Sequence, residues 1–479
     1  MPEIIDEWHK LGIKVVGWIG LGQVNPNPSH LKYYGLDQHP EYLVRNPDGS
    51  PYLGGIGKDN YYLDTSNPEA MDFAWDKIYQ PLFLPGPNGK SSFEKLDLDG
   101  IKLDFCEFFP PAEVPILVHE RMPGMRLYHP TYFSEWMYSK INSVRPGGGI
   151  TWIRGAGLGA QRIGFVWTGD RGRTFEQLDH THIARMSASM SGIALIGTDL
   201  GGYTSGGIIS EQVYNRAVAI DCFSPAFHDH GRSMPPWEQT EQGKDIYRFY
   251  ARLRYNLIPY IYSLIEQAHE TGAPIMRPMP LECPDDQVCW DIYDQYFLGD
   301  SLLVAPVLKN TRERKLYLPE GEWVDFWTRE PACGPKWINY TVPLNIIPVF
   351  VRSGSAIPMQ FNDRFELGGE FKQEDKDRMT PGFAVFGADE LSLDQTFKVF
   401  DPRTNPHAVS SLKLTRTAQQ ISLDKISPLP AAIIIFGKKP SIVNFCGKEL
   451  KEVSCSEIHS SIGWCYREKM KAAVIHLDK

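Results

Sequence analysis

Apolar and polar positions alternate with two different periods along the chain, and the change falls near residue 274. Before that point, short apolar runs alternate with longer amphipathic segments, as in the strands and helices of a parallel α/β barrel. The predicted strands lie near residues 13–19, 101–104, 150–153, 163–167, 194–199 and 223–227. The predicted helices cover residues 3–11, 131–143, 175–192 and 245–272, with two more starting near Pro68 and residue 210. Residues 20–60 are rich in Gly, Pro, Asn and Tyr, which predicts a long loop over the barrel mouth.

After residue 274 the pattern predicts short strands separated by turns, which is typical of an all-β region. The predicted strands are 300–307, 314–319, 322–327 and 347–352, with a turn at 319–321, and then 412–417, 431–436 and 472–477. Residues 360–385 are polar and charged, and we expect a linker or long loop there. The predicted organisation is a β/α barrel over 1–273, a β-sandwich over 274–358 and a distal β domain over 359–479.

Two predicted barrel strands end in carboxylates. The stretch Asp99-Gly-Ile-Lys-Leu-Asp104-Phe-Cys-Glu107 is a buried strand that stops at Asp104, and the segment 150–170 carries Arg154, Trp167 and Asp170. A parallel barrel presents its catalytic groups at the carboxyl ends of its strands. Two carboxylates with an arginine and aromatic side chains beside them indicate a retaining glycosidase, in which one acid is the nucleophile and the other the acid/base. The alternative for Asp104 is a residue that caps the following turn.

Composition excludes some classes of function. A net charge of −9 and a pI of about 5.8, with no Lys/Arg run, argue against a nucleic-acid surface. No apolar run approaches the length of a membrane span, and the chain opens into a helix without a signal peptide, so we expect a cytoplasmic protein if this start is genuine. The eight cysteines contain no C-x-x-C pair, and no zinc or disulfide framework is predicted. The sequence calls for no metal and no cofactor, since the His/Asp cluster at 228–230 lacks partner spacing.

Several spaced motifs in order resemble glycoside hydrolase family 31, the retaining α-glycosidases, over about residues 3–358. Gly100–Glu107 resembles the nucleophile strand of that family, and Arg154, Gln161 and Trp167-Thr-Gly-Asp170 resemble its acid/base segment. Further matches are Thr198-Asp199-Leu-Gly-Gly202, His230-Gly231 followed by Pro236-Trp237, and, in the proximal β domain, Gln295–Asp300 followed by Val304-Ala-Pro306. Several motifs in the right order are more specific than one short match.

The resemblance implies a role for each matching residue. Asp104 would be the nucleophile and Asp170 the acid/base, while Arg154, Asp199 and His230 would hydrogen-bond the sugar. Trp18 and Trp167 would form walls of the pocket, and Lys102 would also face the substrate. The alternatives are a structural ion pair for Arg154, a core position for Trp18 and a structural histidine at 230.

The family places a β-sandwich and two barrel strands before the segment that resembles residues 3–19, and the pattern here gives six of eight strands. We therefore expect a truncated chain, or a barrel that a partner chain completes. The expected activity is release of terminal α-linked glucose from an α-glycoside or oligosaccharide. Lys102 is closer to the α-xylosidase branch, so α-xylosidase activity stays open. A transglycosidase, an α-glucan lyase and an inactive carbohydrate-binding homologue also stay open.

Overall fold

The protein is described here by a computed structural model. It describes residues 2–20, 22–54, 59–92, 95–105, 125–145, 149–155, 157–203, 209–230, 234–371, 379–387, 390–398, 409–427 and 431–477. The chain divides into two compact units, Met1–Gly169 and Asp170–Lys479. Glu107 of the predicted nucleophile strand lies outside the described residues. No helix in the described part of the chain is both long and apolar enough to cross a membrane.

The first unit follows the predicted alternation of helix and strand. Its elements are α1 Pro2–Lys10, β1 Val16–Gly20, β2 Gln23–Val24, α2 Pro28–Tyr34, β3 Tyr61–Tyr62, α3 Pro68–Ala74, α4 Gln80–Phe83, β4 Gly100–Asp104, α5 Met125–Val144, β5 Ile150–Arg154 and β6 Phe165–Trp167. The predicted loop over 20–60 is wrong in part, because it contains α2 and the strand β2, which pairs with β3 just after residue 60. Asn27 caps α2 by accepting from the Ser29 N–H at 3.0 Å, and Gly35 ends it with a φ of 75°.

Strands β1, β4, β5 and β6 lie side by side and run parallel. The first residue of β4 has to be glycine, because a Cβ on Gly100 would lie 2.4 Å from the Ile150 carbonyl oxygen of β5. Ile101 and Leu103 are fully buried on one face, so Lys102 and Asp104 share the other face.

Asp99 fixes the start of β4 to its neighbours. Asp99 exchanges hydrogen bonds with the Val15 backbone and forms an ion pair at 2.9 Å with Arg145, the residue after α5. Burial on its own would raise the pKa of Asp99, but the bonds from Val15 N–H, His9 and Lys14 outweigh it and lower the pKa. The first residues of the strand are therefore held by charge as well as by the backbone ladder.

The second unit contains three long helices followed by β-sheets. Its elements are α6 Phe175–Met190, β7 Ile196–Gly197, α7 Glu211–Cys222, α8 Glu241–Thr271, β8 Met276–Pro278, α9 Met279–Glu282, α10 Gln287–Trp290, β9 Tyr296–Leu298, β10 Leu302–Val304, β11 Glu313–Asp325, β12 Pro331–Thr341, β13 Val349–Arg352, β14 Ser355–Phe361, β15 Thr380–Phe386, β16 Leu391–Lys398, β17 Val409–Arg416, β18 Gln420–Ser427, β19 Ala431–Phe436, β20 Ile442–Phe445, β21 Lys448–Glu449, β22 Gly463–Arg467 and β23 Ala472–Leu477. The side chains of Thr174, Ser210 and Thr240 cap α6, α7 and α8.

The strand predicted over 223–227 does not form. After α7 the chain is irregular, and it makes one isolated bridge between Leu200 and Asp229. Pro225 has no N–H to donate to a ladder. Arg254 of α8 donates to the carbonyls of Ser224 and Pro225 instead, the latter at 2.6 Å. The guanidinium of Arg254, which is distant in sequence, thus donates to the carbonyl groups that a neighbouring strand would otherwise have bonded.

The β region forms three sheets, with strand orders β12-β11-β13-β10-β9-β8, β14-β15-β19-β23-β22 and β16-β17-β18-β20-β21. The two five-stranded sheets enclose a common apolar core, which agrees with the predicted distal strands 412–417, 431–436 and 472–477. Two other predictions are wrong. The turn at 319–321 is a register shift inside the continuous strand β11, and the expected linker over 360–385 contains part of β15, a fully buried central strand at Phe383–Phe386.

One disulfide joins Cys455 to Cys465 of β22, with a Cα–Cα distance of 5.4 Å. The sequence spacing of ten residues gave no signal for it. A C-x-x-C pattern indicates metal or redox sites, not single structural disulfides. The lack of that pattern therefore did not exclude this disulfide.

A buried ion pair connects α6 and α7. Arg185 Nη2 lies 2.5 Å from Asp221 Oδ1, and both side chains are 2% exposed. Burial raises the pKa of Asp221 in spite of Arg185 and Arg171, which act to lower it. Because both charges are removed from water, each is stabilised mainly by the other, and removal of one leaves the second uncompensated.

We expect Asp221→Leu to destabilise the protein by about 3–5 kcal/mol, because Arg185 is left buried without its carboxylate. Adding Arg185→Met should restore part of that loss, so the double variant should lose less than the sum of the single variants in urea unfolding. Asp245→Leu, which removes the exposed pair with Arg248, is the matched control and should cost less than about 1 kcal/mol. Additive losses for the buried pair would contradict the expected coupling.

Candidate active site

Asp104 ends β4 and is only 7% exposed. Its Oδ2 accepts a hydrogen bond from Trp18 Nε1 of β1 at 2.9 Å, and its Oδ1 accepts from Arg154 Nη1 of β5 at 3.1 Å. The backbone N–H of Phe105 donates to Oδ1 at 2.7 Å. Both oxygens act as acceptors, as they do in an ionised carboxylate. The three donors hold one rotamer of Asp104 between the two neighbouring strands.

Phe105 adopts a left-handed backbone conformation with a φ of 58°, directly after Asp104. A bulky residue is uncommon there, and such strain occurs often at functional sites. The turn points the Phe105 N–H back at Asp104 and places its ring edge-on to Trp18, with the centroids 5.7 Å apart. Arg154 Cζ lies 5.9 Å from the same ring. Phe105 was not among the predicted site residues, and nothing in the local pattern indicates its φ.

Lys102 lies one side-chain repeat before Asp104 on the same face of β4. Its Nζ is 4.0 Å from the centroid of Trp167 and 5.8 Å from that of Trp152. The strand register aligns Trp18, Lys102 and Trp152 across β1, β4 and β5. Trp152 was not predicted as a site residue. Its alternation with Thr151 and Ile153 nevertheless indicates that it shares the strand face of Arg154.

The first unit therefore brings five predicted site residues together on one sheet face. They are Trp18, Lys102, Asp104, Arg154 and Trp167. Trp18 is 56% exposed rather than a core residue, and Arg154 does form an ion pair, but its partner is Asp104 itself.

Asp170 is the first residue of the second unit and is half-buried. The segment after it is attached to the strand end at 199–203. Arg171 Nε donates to the Asp199 carbonyl at 2.9 Å, and the Tyr203 N–H donates to the Arg171 carbonyl at 2.9 Å. A Cβ on Gly202 would lie 2.6 Å from the Gly172 oxygen, so this approach requires glycine. Gly202, the second of the paired glycines in the sequence motif, thus permits this close backbone contact.

Asp199 is fully buried, and its Oδ1 lies 3.5 Å from His228 Nδ1. The two segments meet because the Leu200 N–H donates to the His228 carbonyl at 2.8 Å. His230 packs its ring against Tyr203, with centroids 4.6 Å apart. His228 is not one of the predicted site residues, but it lies beside Asp199, a predicted sugar-binding carboxylate.

Asp229, between His228 and His230 in the chain, is half-buried, and Tyr214 donates a 2.6 Å hydrogen bond to its Oδ2. Burial raises the pKa of Asp229 to about 6, against the hydrogen bonds from Tyr214 and from the His230 N–H. This carboxyl group therefore changes charge in the range in which many enzymes work. In the part of the chain that the structure describes, no three His, Cys, Asp or Glu side chains gather as a site for a metal ion.

Comparison with known proteins identifies the family. The sequence model described as the glycosyl hydrolases family 31 TIM-barrel domain matches residues 1–264. The model described as the glycosyl hydrolase family 31 C-terminal domain matches residues 272–357. The chain belongs to glycosyl hydrolase family 31. The resemblance seen in the motifs is thereby confirmed, together with the predicted class of a TIM-barrel domain followed by all-β domains.

Curated relatives carry several activities in their names. Alpha-glucosidase 2 of Bacillus thermoamyloliquefaciens is 30% identical over 75% of this chain and 46% of its own length. An isomaltosyltransferase of Sporosarcina globispora is 29% identical over 98% of this chain and 44% of its own. An alpha-xylosidase of Saccharolobus solfataricus is 36% identical over 64% of this chain and 38% of its own. The chain thus spans less than half the length of each of these relatives.

One solved structure is similar to this chain in fold. The cycloalternan-forming enzyme of Listeria monocytogenes, in complex with a pentasaccharide substrate, superposes with a TM-score of 0.87 over 100% of this chain and 46% of that chain. At 24% identity this likeness concerns the fold alone.

The raised pKa of Asp229 gives a testable dependence of stability on pH. A carboxyl group whose folded pKa lies above its unfolded value contributes stability at low pH, and the contribution is lost as pH rises through about 6. The difference from the ordinary 3.8 corresponds to roughly 3 kcal/mol. The side chain in Asp229→Asn does not ionise, so this variant should not lose that stability. Its free energy of unfolding should therefore rise relative to that of the wild type as pH increases from acid to neutral.

Urea unfolding at a series of pH values measures this difference. The control is Asp291→Asn, which changes an exposed carboxyl group in the same unit. A constant difference between Asp229→Asn and wild type on both sides of about pH 6 would contradict a raised pKa for Asp229.

Proposed function

We propose that this protein is a retaining α-glycoside hydrolase that releases terminal α-linked glucose from oligosaccharides. The observation that carries the proposal is Asp104, a buried carboxylate at the end of a parallel strand, with donors from both neighbouring strands and from Phe105. That arrangement suits a nucleophile, because an attacking carboxylate must be ionised and held in one orientation. Family membership supports the same assignment.

In the proposed mechanism Asp104 attacks the anomeric carbon while Asp170 donates a proton to the departing glycosidic oxygen. The bond from sugar to leaving group breaks and an ester between the sugar and Asp104 forms. Asp170, now a carboxylate, then takes a proton from water, which attacks the same carbon and releases Asp104. The proposal requires Asp104 and Asp170 to face one another across the sugar ring.

The remaining residues have binding roles in this proposal. Arg154 can hold Asp104 and also donate to a sugar hydroxyl, because a guanidinium has five N–H donors. Trp18 and Trp167 offer aromatic faces to the sugar. Asp199 and His230 would bind hydroxyls from the second unit. In this arrangement His228 orients Asp199 as a positioning residue.

Lys102 supports a second candidate substrate, a terminal α-linked xylose. The Lys102 ammonium group lies 4.0 Å from the Trp167 ring centroid. In this candidate it would take the space that the hydroxymethyl group of glucose needs, and xylose lacks that group. The alpha-xylosidase relative makes this candidate relevant, and the isomaltosyltransferase relative does the same for glycosyl transfer. Product analysis separates the three outcomes as free glucose, free xylose or a transferred sugar.

We expect Asp104→Ala and Asp170→Ala each to lower kcat for an aryl α-glucoside by about 10²–10⁴-fold or more, since each removes a group that moves a bond or a proton. Azide should restore turnover of Asp104→Ala by attacking in place of the lost carboxylate, and the product should be the glycosyl azide. Unchanged turnover in either variant, with the melting temperature retained, would overturn the assignment. Asp76→Ala, in the π-helical turn between α3 and α4, is a control for loss of a carboxylate in the first unit.

Lys102→Met tests substrate selection. We expect kcat/KM for aryl α-glucoside and aryl α-xyloside to fall unequally, with a change in their ratio of about tenfold, because a charged hydrogen-bond donor is removed. The matched control is Lys140→Met, since Lys140 also stacks on tryptophans, Trp75 and Trp136, at 5.9 and 6.0 Å. An equal fall for both substrates would assign Lys102 to structure rather than selection.

A further inference from the structure

Two adjoining cavities lie in the second unit, between the first turns of α7 and α8 and the segment that follows β12. Their volumes are about 640 and 440 Å³, and Gln242 and Asn345 line both of them. Phe249 and Trp327 also line the first cavity, and Gln212 and Asn310 also line the second. Because the cavities share two residues, they form one groove, which we call the α8 groove. None of these residues has a role in the proposed hydrolysis.

One wall of the α8 groove is aromatic. Phe249 of α8 and Trp327 are half-buried, and their ring centroids lie 6.0 Å apart. Trp327 Nε1 donates to the Ile347 carbonyl at 2.6 Å, so the indole ring is held in one orientation. A fixed, partly exposed aromatic surface can pack against the C–H face of a sugar ring.

Carboxamide side chains line the rest of the groove. Gln212, Gln242, Asn310 and Asn345 are all exposed. Among the described residues, none of their side-chain amides forms a hydrogen bond with another protein group. A carboxamide has two N–H donors and a carbonyl acceptor, and a sugar hydroxyl likewise donates and accepts. Four such groups beside an aromatic wall therefore favour a neutral ligand that carries many hydroxyls.

Most charged side chains at the groove already have protein partners. Arg248 donates to Asp245 at 3.0 Å, and Lys244 donates to Glu241 at 2.8 Å. Arg312 is exposed and lines the second cavity, where its guanidinium can donate to hydroxyls as the amides do. The uncharged amides are therefore the main recognition groups of the groove.

Buried side chains fix the wall that the two cavities share. Arg216 Nη1 donates to the carbonyls of Pro343 and Ile346 at 2.9 and 2.7 Å, and its Nη2 donates to that of Val342 at 2.6 Å. The Tyr250 hydroxyl donates to the Asn345 carbonyl at 2.9 Å. The backbone that carries the Asn345 amide is thus preformed, which lowers the entropic cost of binding a ligand there.

The groove is also close to the proposed acid/base along the chain. Phe175, the first residue of α6, lines the second cavity and follows Asp170 by five residues. Gln212 and Gln242 are the second residues of α7 and α8. In a β/α barrel the helices begin at the face where the strands end and the active site is built. A glycan chain bound at that face would therefore have its further sugar units available to the groove.

We propose that the α8 groove binds an α-linked gluco-oligosaccharide as a second, non-catalytic saccharide site. Sugar rings would pack against Phe249 and Trp327, and their hydroxyls would bond to the carboxamides. Each cavity lies within the range of about 300–1,000 Å³ that is usual for a small-molecule site, so the two together accommodate more than one sugar ring. The choice of an α-linked glucan rests on the proposed function, whereas binding in the groove requires no hydrolysis.

Hydrogen–deuterium exchange and calorimetric titration of full-length Asp104→Ala test the proposal, with maltotetraose, isomaltotetraose and glucose as separate probes. This variant is used because it would not consume the oligosaccharides. We expect a tetrasaccharide to bind and to slow amide exchange in residues 342–347 and in the first turn of α8, and glucose to bind more weakly. The tetrasaccharide that binds more tightly would assign the preferred linkage, α-1,4 or α-1,6.

The double variant Gln242→Ala/Asn345→Ala, made in the Asp104→Ala background, should weaken tetrasaccharide binding by about tenfold, because two hydrogen bonds to the ligand are lost. The matched control is Gln287→Ala/Asn339→Ala in the same background. It removes the same two kinds of exposed amide elsewhere in the second unit and should leave the affinity unchanged.

Two results would overturn the proposal. One is the absence of exchange protection in residues 342–347 with either tetrasaccharide, and the other is equal affinity in the two double variants, which would assign any binding to a different site. Neither result bears on the proposed hydrolysis, which the turnover of Asp104→Ala and Asp170→Ala decides separately.

Discussion

The candidate site depends on one interaction, the hydrogen bonding of Asp104 to both neighbouring strands. Trp18 and Arg154 reach its two oxygens from opposite sides, so a single carboxylate joins β1, β4 and β5 at their carboxyl ends. Asp99 makes comparable bonds to Val15 and Arg145 at the other end of β4. The strand is therefore held by a carboxylate at each end, and the position of its site face follows from that.

Much of this arrangement could be predicted from local sequence. The apolar residues Ile101 and Leu103 alternate with Lys102 and Asp104, and a period of two fixes which side chains share a face. Parallel strands present their functional groups at their carboxyl ends, and this rule predicts that Asp104 and Arg154 lie at the same edge of the sheet. The end of α8 was predicted closely because Gly272 marks it, whereas the helix begins at Glu241, four residues before the predicted 245. In such cases the information lies within a few residues of the feature.

Predictions failed where distant residues decide the structure. The apolar run after Cys222 favours a strand locally, but Arg254 of α8 takes its carbonyl groups. The segment predicted as a linker includes most of β15. Its residues Phe383–Phe386 are buried because β14 and β19 flank the strand on its two sides. The bond from Trp18 to Asp104 spans 86 residues, and no local pattern indicates it. Contacts of this kind require the fold to be known first.

Buried arginines take the place of a backbone ladder in loops and at strand ends of the second unit. Arg216 donates to the carbonyls of Val342, Pro343 and Ile346, and Arg416 donates to those of Phe436 and Lys438. Buried carbonyl groups that no strand flanks still need donors, and a guanidinium offers five of them in one plane. Such a segment is therefore held by a single side chain that is distant in sequence, which is why its conformation cannot be predicted from its own residues.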